Sequence, residues 1–384
     1  MPWREASIVS ERFEFVTLAR QLQSGSVNGI NMRQLCERFG ISRKTAYKWL
    51  ERSRSGSRDA LENLSRRPHR MPRQSPPQIE AAALAVRDEH PAWGGRKIRV
   101  VLMRKGLSSV PAASTITRML ERAGRLKPDE SLKHKPWQRF EHEKPNDLWQ
   151  MDFKGDFATA HGRCYPLTAV DDHSRYSLVL EACGDQRRAT VQSALTNAFR
   201  KYGLPHRILT DNGSPWGCDP ERPWTAFAAW LIRLGVRICH GRPYHPQTQG
   251  KEERFHRTLQ AEVLREPMQD RSECQRRFDR WREIYNHERP HQALGMDVPA
   301  SRYRPSARAF PETLPSVEYA PDLKVRKVGG EGRLSVAGKN FRIGRAFAGE
   351  PVGLRQTNVD GVIEVYFCQQ HVYTIDLREG ERSD

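Results

Sequence analysis

Paired zinc-binding cysteines, a disulfide framework and a membrane-length apolar run are all missing from these 384 residues. The seven cysteines (Cys36, Cys164, Cys183, Cys218, Cys239, Cys274 and Cys368) are scattered and odd in number, with no Cys-x-x-Cys. That pattern argues against a structural zinc or a stapled secreted scaffold and fits reduced thiols. No stretch approaches the roughly 20 apolar residues that cross a bilayer, and the amino terminus has no leader-like apolar segment. The sequence therefore predicts a cytoplasmic protein with no membrane partner. Acidic excess is absent too. Lysine and arginine number 64 against 46 acidic residues, a net charge of +18. Solubility of a small domain needs only about 2–8 net charges. The surplus points to a polyanion, and to nucleic acid first. No internal repeat spans the chain.

What is present divides into segments. Hydrophobic residues make up 37% of the chain, enough for several cores, and the length predicts two to four domains. Residues 1–53 read as a helix-turn-helix domain and 54–77 as a basic, proline-bearing linker. Residues 78–126 read as a second, less specific helix-turn-helix-like domain, and 127–147 as another linker. From 148 to 305, three meander strands followed by alternating helices and strands predict a mixed α/β sheet covered by helices. Residues 306–384 hold five short strands with turn signals such as Asp360-Gly361, which predicts a small antiparallel β-barrel.

The first module carries the clearest DNA-binding signal. In Leu35 to Leu50, Gly40 can take positive φ in a turn and Ser42 can cap the following helix. Apolar residues share one face, which leaves Arg43, Lys44, Tyr47 and Lys48 outward. A helix of that kind fits a major groove.

Three acids stand in distinctive settings. Asp152 lies in the strand-like Trp149-Gln150-Met151-Asp152-Phe153, where alternation places it opposite Met151 and Phe153. Asp211 follows the apolar strand Ile208-Leu209-Thr210, at the carboxyl end where open α/β sheets bind ligands. Glu253 lies on a helix that opens after Tyr244-His245-Pro246. Glu252 shares a stripe with Phe255 and Leu259 and is expected to pack inward. Carboxylates are hard ligands suited to Mg²⁺. Tyr244, His245, Lys251, Arg254 and Arg257 could grip DNA beside them. Asp171 and Asp172 read as turn formers. His287-Glu288-Arg289-Pro290-His291 matches a zinc-protease pattern, but Pro290 breaks the helix that chemistry needs, at about 3 kcal/mol or more.

The segments Trp149 to Asp152, Thr210 to Gly213 and Tyr244 to His256 resemble the catalytic core of DDE transposases and retroviral integrases. Tyr285 to Leu294 resembles the element after this core in bacterial insertion-sequence transposases. The resemblance covers about 145 to 305. It implies an RNase H-like fold, and nicking of element ends followed by strand transfer from the freed 3′-hydroxyl. It also implies a catalytic and metal-binding set of Asp152, Asp211 and Glu253 holding two Mg²⁺ ions, with Mn²⁺ as a substitute. Glu253 is chosen over Glu252 by the family's Gly-x-x-Glu-Arg arrangement alone. The implied partners are double-stranded DNA, as element ends and as target, and a homodimer or larger assembly of the chain near the bacterial nucleoid. Two other readings remain: a DNA-binding regulator with an inactive core, and a structure-specific nuclease that does not join DNA.

Overall fold

A computed structural model describes residues 8–25, 30–64, 75–126, 141–211, 213, 216, 224–240 and 250–378. The chain divides into two compact units, 1–74 and 75–384.

The first unit holds α1 (Ile8–Gln23), α2 (Met32–Arg38) and α3 (Arg43–Arg52). Local chemistry sets its turns. Asn31 accepts from the Gln34 amide at 3.0 Å, while Gln34 Oε1 accepts from the Asn31 amide at 2.9 Å. This reciprocal box satisfies donors at the start of α2 that the helix itself cannot pair. Gly40 turns the chain at φ +60°, and Ser42 Oγ accepts from the Thr45 amide to start α3. Phe15, Val16, Ala19, Leu35, Ala46 and Trp49 bury together, so the amphipathic faces supply the core.

The second unit begins with α4 (Pro77–Glu89), α5 (Gly95–Arg104) and α6 (Ala113–Arg122). Their shared core includes Trp93, Ile98, Leu102 and Ile116. Gly95 is needed for close helix approach: a Cβ there would lie 2.4 Å from the Ala113 carbonyl oxygen. This bundle packs on the C-terminal part of the central domain. Ile284 joins its core, and Arg104 donates to the Met296 carbonyl at 2.9 Å.

The central sheet contains β1 (Trp149–Phe153), β2 (Phe157–Thr159), β3 (Gly162–Asp171), β4 (Ser177–Cys183), β5 (Arg207–Thr210) and β6 (Arg237–His240). Its order is β2-β3-β1-β5-β6, with β4 also on β3. β1 runs antiparallel to β3 and parallel to β5, and β5 runs parallel to β6. Helices α7 (Arg188–Tyr202) and α8 (Ala226–Arg233) cover one face, burying Trp149, Met151 and Phe153. The other face carries α9 (Gly250–Glu262) and α10 (Arg271–His287), which bury Phe255, Leu259, Phe278 and Trp281 against Val170 and Leu180. Strand alternation therefore sends Gln150 and Asp152 toward α9. The short α11 (Pro299–Arg302) closes this part.

The tail carries the antiparallel strands expected of it. Strands β7 (Lys324–Lys327), β10 (Pro351–Gln356), β11 (Val362–Phe367) and β12 (Gln370–Asp376) form one sheet, ordered β12-β11-β10-β7. The pair β8 (Arg333–Val336) and β9 (Lys339–Arg342) forms a separate hairpin. Among the described residues the strands do not close on themselves. Ala229 and Ile232 of α8 enter the tail's core, so a helix covers part of its apolar surface.

Candidate active site

Asp152 sits near the end of β1, directly paired with Thr168 of β3. Paired residues project on the same face, so both look toward α9. Burial, and after it the charge of Asp211, pushes the Asp152 carboxyl up to about 7. Asp211 leaves the carboxyl end of β5, the strand beside β1. Its Oδ1 accepts from the Gly213 amide at 2.9 Å and from the indole of Trp216. Trp216 is buried and stacks on Phe153 with ring centroids 5.3 Å apart. That stack ties the Asp211 loop to the strand bearing Asp152.

The two glutamates of α9 diverge. Glu252 is 1% exposed, in line with its inward stripe beside Phe255 and Leu259. Its Oε2 accepts from the Thr168 hydroxyl at 3.1 Å, and its Oε1 has no hydrogen-bond partner. Burial first, then Asp152, raises its carboxyl well above the usual range. Glu253 turns to solvent, with a side chain 68% exposed and 4.0 Å from Arg257. So the structure brings Asp152 toward Asp211 and toward Glu252, while the Glu253 carboxylate stays outside. Among the described residues no three His, Cys, Asp or Glu side chains stand close enough together to hold a metal ion.

The remaining candidates separate by burial. Arg43, Lys44, Tyr47 and Lys48 are all exposed on α3. Arg254 and Arg257 are exposed on α9. Lys251, expected to meet DNA, turns inward and pairs with the fully buried Asp172. A buried carboxylate requires a cation more strongly than solvent-facing phosphate does, and this one also accepts from Gln150 Nε2 at 2.7 Å and the His142 amide at 2.8 Å. Tyr244 and His245 lie outside the described residues. Asp171 does form the β3–β4 turn, accepting from the Ser174 amide and hydroxyl. The zinc-protease match fails as its proline predicts: α10 stops at His287, and His291 lies beyond the break, buried against Arg289. Sequence reasoning missed Trp216 and Thr168. Neither belongs to a charged motif, and the alternation that places Thr168 beside Asp152 needs the strand register first.

Family models match most of these regions. Two integrase core domain models cover residues 142–246 and 234–299. A homeodomain-like model covers 45–120, and a helix-turn-helix model covers 20–69. The tail, at 323–383, matches the C-terminal domain of the IS481 family transposases. Among curated relatives, an uncharacterized 39.2 kDa protein of insertion element IS476 from Xanthomonas euvesicatoria is 32% identical over 157 residues, 41% of this chain and 44% of that protein. An uncharacterized 31.7 kDa protein of insertion element IS407 from Burkholderia multivorans is 28% identical, over 43% of this chain and 59% of that protein. The chain thus spans about half the length of these relatives. The HTLV-2 integrase catalytic core, solved with magnesium, aligns over 42% of this chain and 99% of its own at 15% identity, with a TM-score of 0.32. With integrase core matches between helix-turn-helix matches and a tail like that of the IS481 family transposases, the chain is similar to insertion-element proteins with an integrase-like core.

Proposed function

We propose that this chain is a DNA transposase: it binds terminal inverted repeats through α3, nicks the element ends, and joins them to target DNA. The observation that carries the reading is geometric: Asp152 lies on β1 and Asp211 leaves the carboxyl end of the neighbouring strand β5, and their closeness fits the raised Asp152 carboxyl. Crowded carboxylates are stabilised by a divalent cation, and the unpartnered Glu252 Oε1 nearby fits the same demand for positive charge. We assign Asp152, Asp211 and Glu253 as holders of Mg²⁺, two ions in the full reading, with Mn²⁺ as a substitute. A pair of such cations would activate the attacking oxygen and stabilise the leaving one.

The residues themselves have separable tasks. Asp152 is fixed by β1, and Asp211 is oriented by Gly213 and Trp216. Glu253, unlike Glu252, is open to a phosphate and fits the family's Gly-x-x-Glu-Arg spacing. Arg254 and Arg257 supply positive charge on the same exposed helix face for the DNA backbone. A second reading makes Glu252 the third ligand, favoured by its burial near Asp152, whose charge helps raise it. Both ends of an element must meet for joining, so the active form in this reading is a dimer or larger assembly on double-stranded DNA.

The test is a terminal-repeat duplex incubated with Mg²⁺ and the wild type or the single variants Asp152→Asn, Asp211→Asn, Glu252→Gln and Glu253→Gln. The proposal expects Asp152→Asn, Asp211→Asn and Glu253→Gln to bind the ends but not nick them. Loss in Glu252→Gln with activity kept in Glu253→Gln would transfer the ligand role to Glu252. A wild type that never nicks would favour a DNA-binding regulator. Nicking without insertion of a supplied pre-cleaved 3′-end would favour a plain nuclease.

A further inference from the structure

We propose that two buried polar anchors latch the first turn of α9 onto the sheet and so set which α9 carboxylate the helix presents to Asp152. One anchor is Lys251 to Asp172. The other joins Glu252 and His256 to Thr168. The inference rests on the reading that α9 supplies a carboxylate beside Asp152, and it names the side chains that set that helix's rotation.

Thr168 is the hub of the second anchor. Its hydroxyl lies 3.0 Å from the Asp152 carbonyl oxygen, 3.1 Å from Glu252 Oε2 and 2.8 Å from His256 Nε2. A threonine hydroxyl has one proton to donate and two lone pairs to accept with. It can therefore donate to only one of the Asp152 and Glu252 oxygens at a time. Glu252 and His256 are one helical turn apart and grip this hydroxyl from the same face of α9. Thr168 is fully buried, so water does not compete for the junction.

The first anchor lies one residue earlier. Lys251 Nζ pairs with the Asp172 carboxylate and reaches the Asp172 carbonyl oxygen at 3.2 Å. Asp172 is itself held by Gln150, the inward neighbour of Asp152 on β1. Both anchors thus tie α9 to the two strands around Asp152. Successive helix residues are about 100° apart, so fixing 251 and 252 inward dictates where 253 points. A small rotation of the helix would change which of Glu252 and Glu253 faces Asp152 without unfolding anything. Lys251, Asp172, Thr168 and His256 are positioning residues, because none of them is assigned to a reacting atom, whereas Glu252 is also the ligand of the second reading.

Thr168→Val keeps the volume and removes the hydroxyl, and Thr168→Ser keeps the hydroxyl. Three quantities decide the matter in the full chain: amide exchange over residues 250–256 without DNA, the Mg²⁺ concentration giving half-maximal nicking, and end binding. The expected result for Thr168→Val is faster exchange over that turn and a half-saturating Mg²⁺ raised by about 10-fold, in the range typical for loss of an outer hydrogen bond to a metal site. End binding should be unchanged, and Thr168→Ser should restore both other quantities. Asp172→Asn should loosen the same turn. The latch is overturned if Thr168→Val leaves exchange and half-saturation unchanged, if it lowers only the melting temperature, or if Thr168→Ser behaves like Thr168→Val. Nicking that survives Glu253→Gln while Thr168→Val still frees the turn would instead defeat the ligand assignment and leave the latch standing.

Discussion

Helices α3 and α9 are both short and polar and both carry lysine and arginine, yet they place their charges differently. On α3, Arg43, Lys44 and Lys48 stay at the surface around the half-exposed Tyr47, while Ala46 and Trp49 hold the helix to its core. Lys48 and Arg52 lie over the Trp49 ring, at 5.1 and 5.0 Å from its centroid. On α9, the first lysine faces inward to Asp172 and the first glutamate faces Thr168, while Glu253, Arg254 and Arg257 remain outside. Charge on α3 is available to a partner. Half of the charge in the first turn of α9 is committed to internal structure. A basic residue near a functional site is thus a contact residue only where no buried acid competes for it.

The largest way to break this comparison is chemical. Asp152→Asn should lower nicking by at least ~10³-fold, equivalent to about 4 kcal/mol of lost barrier reduction, while equilibrium binding of the terminal repeat stays unchanged. Replacing Arg43, Lys44 and Lys48 together should do the opposite, weakening binding and leaving single-turnover nicking of bound ends intact.

Stability should separate the two lysines next. Lys251→Met strands a fully buried Asp172 carboxylate, and urea unfolding should show a loss of about 3–5 kcal/mol. Lys48→Met, at the surface of α3, should stay within about 0.5 kcal/mol. Equal effects would mean that burial does not distinguish the two helices.

A pH profile sharpens the same contrast. The folded Asp152 carboxyl is raised to about 7, above its value in the unfolded chain, so the folded state holds this proton more tightly. Without divalent metal, its contribution is fully present below the ordinary aspartate range and disappears as pH rises through about 7. Thermal unfolding in chelator should show that decline in the wild type and a flatter profile in Asp152→Asn. A further effect is local: Ser42→Ala removes the cap of α3 and should cost about 1 kcal/mol in the first unit.

The parts of this molecule that obey local rules could be read in advance. Gly40 and Ser42 set the turn of the first module, and strand alternation placed Asp152 opposite Met151 and Phe153. Helical periodicity put Glu252 inward with Phe255 and Leu259. What escaped prediction depends on partners far away in the chain. The inward turn of Lys251 needs Asp172, which is 79 residues earlier. The grip on Asp211 needs Trp216 stacked on Phe153 of another strand. Strand β7, Lys-Val-Arg-Lys, is too short and charged to announce itself and forms through pairing with β10. The covering of the tail's apolar surface by α8, from the central domain, also depends on distant partners.

The most direct test of the central claim is to soak crystals of the chain with Mn²⁺ and record the anomalous signal. The account predicts a peak between the carboxylates of Asp152 and Asp211, completed by a glutamate from α9, and predicts its loss in Asp152→Asn. Full occupancy elsewhere, or an unchanged peak in that variant, would contradict it.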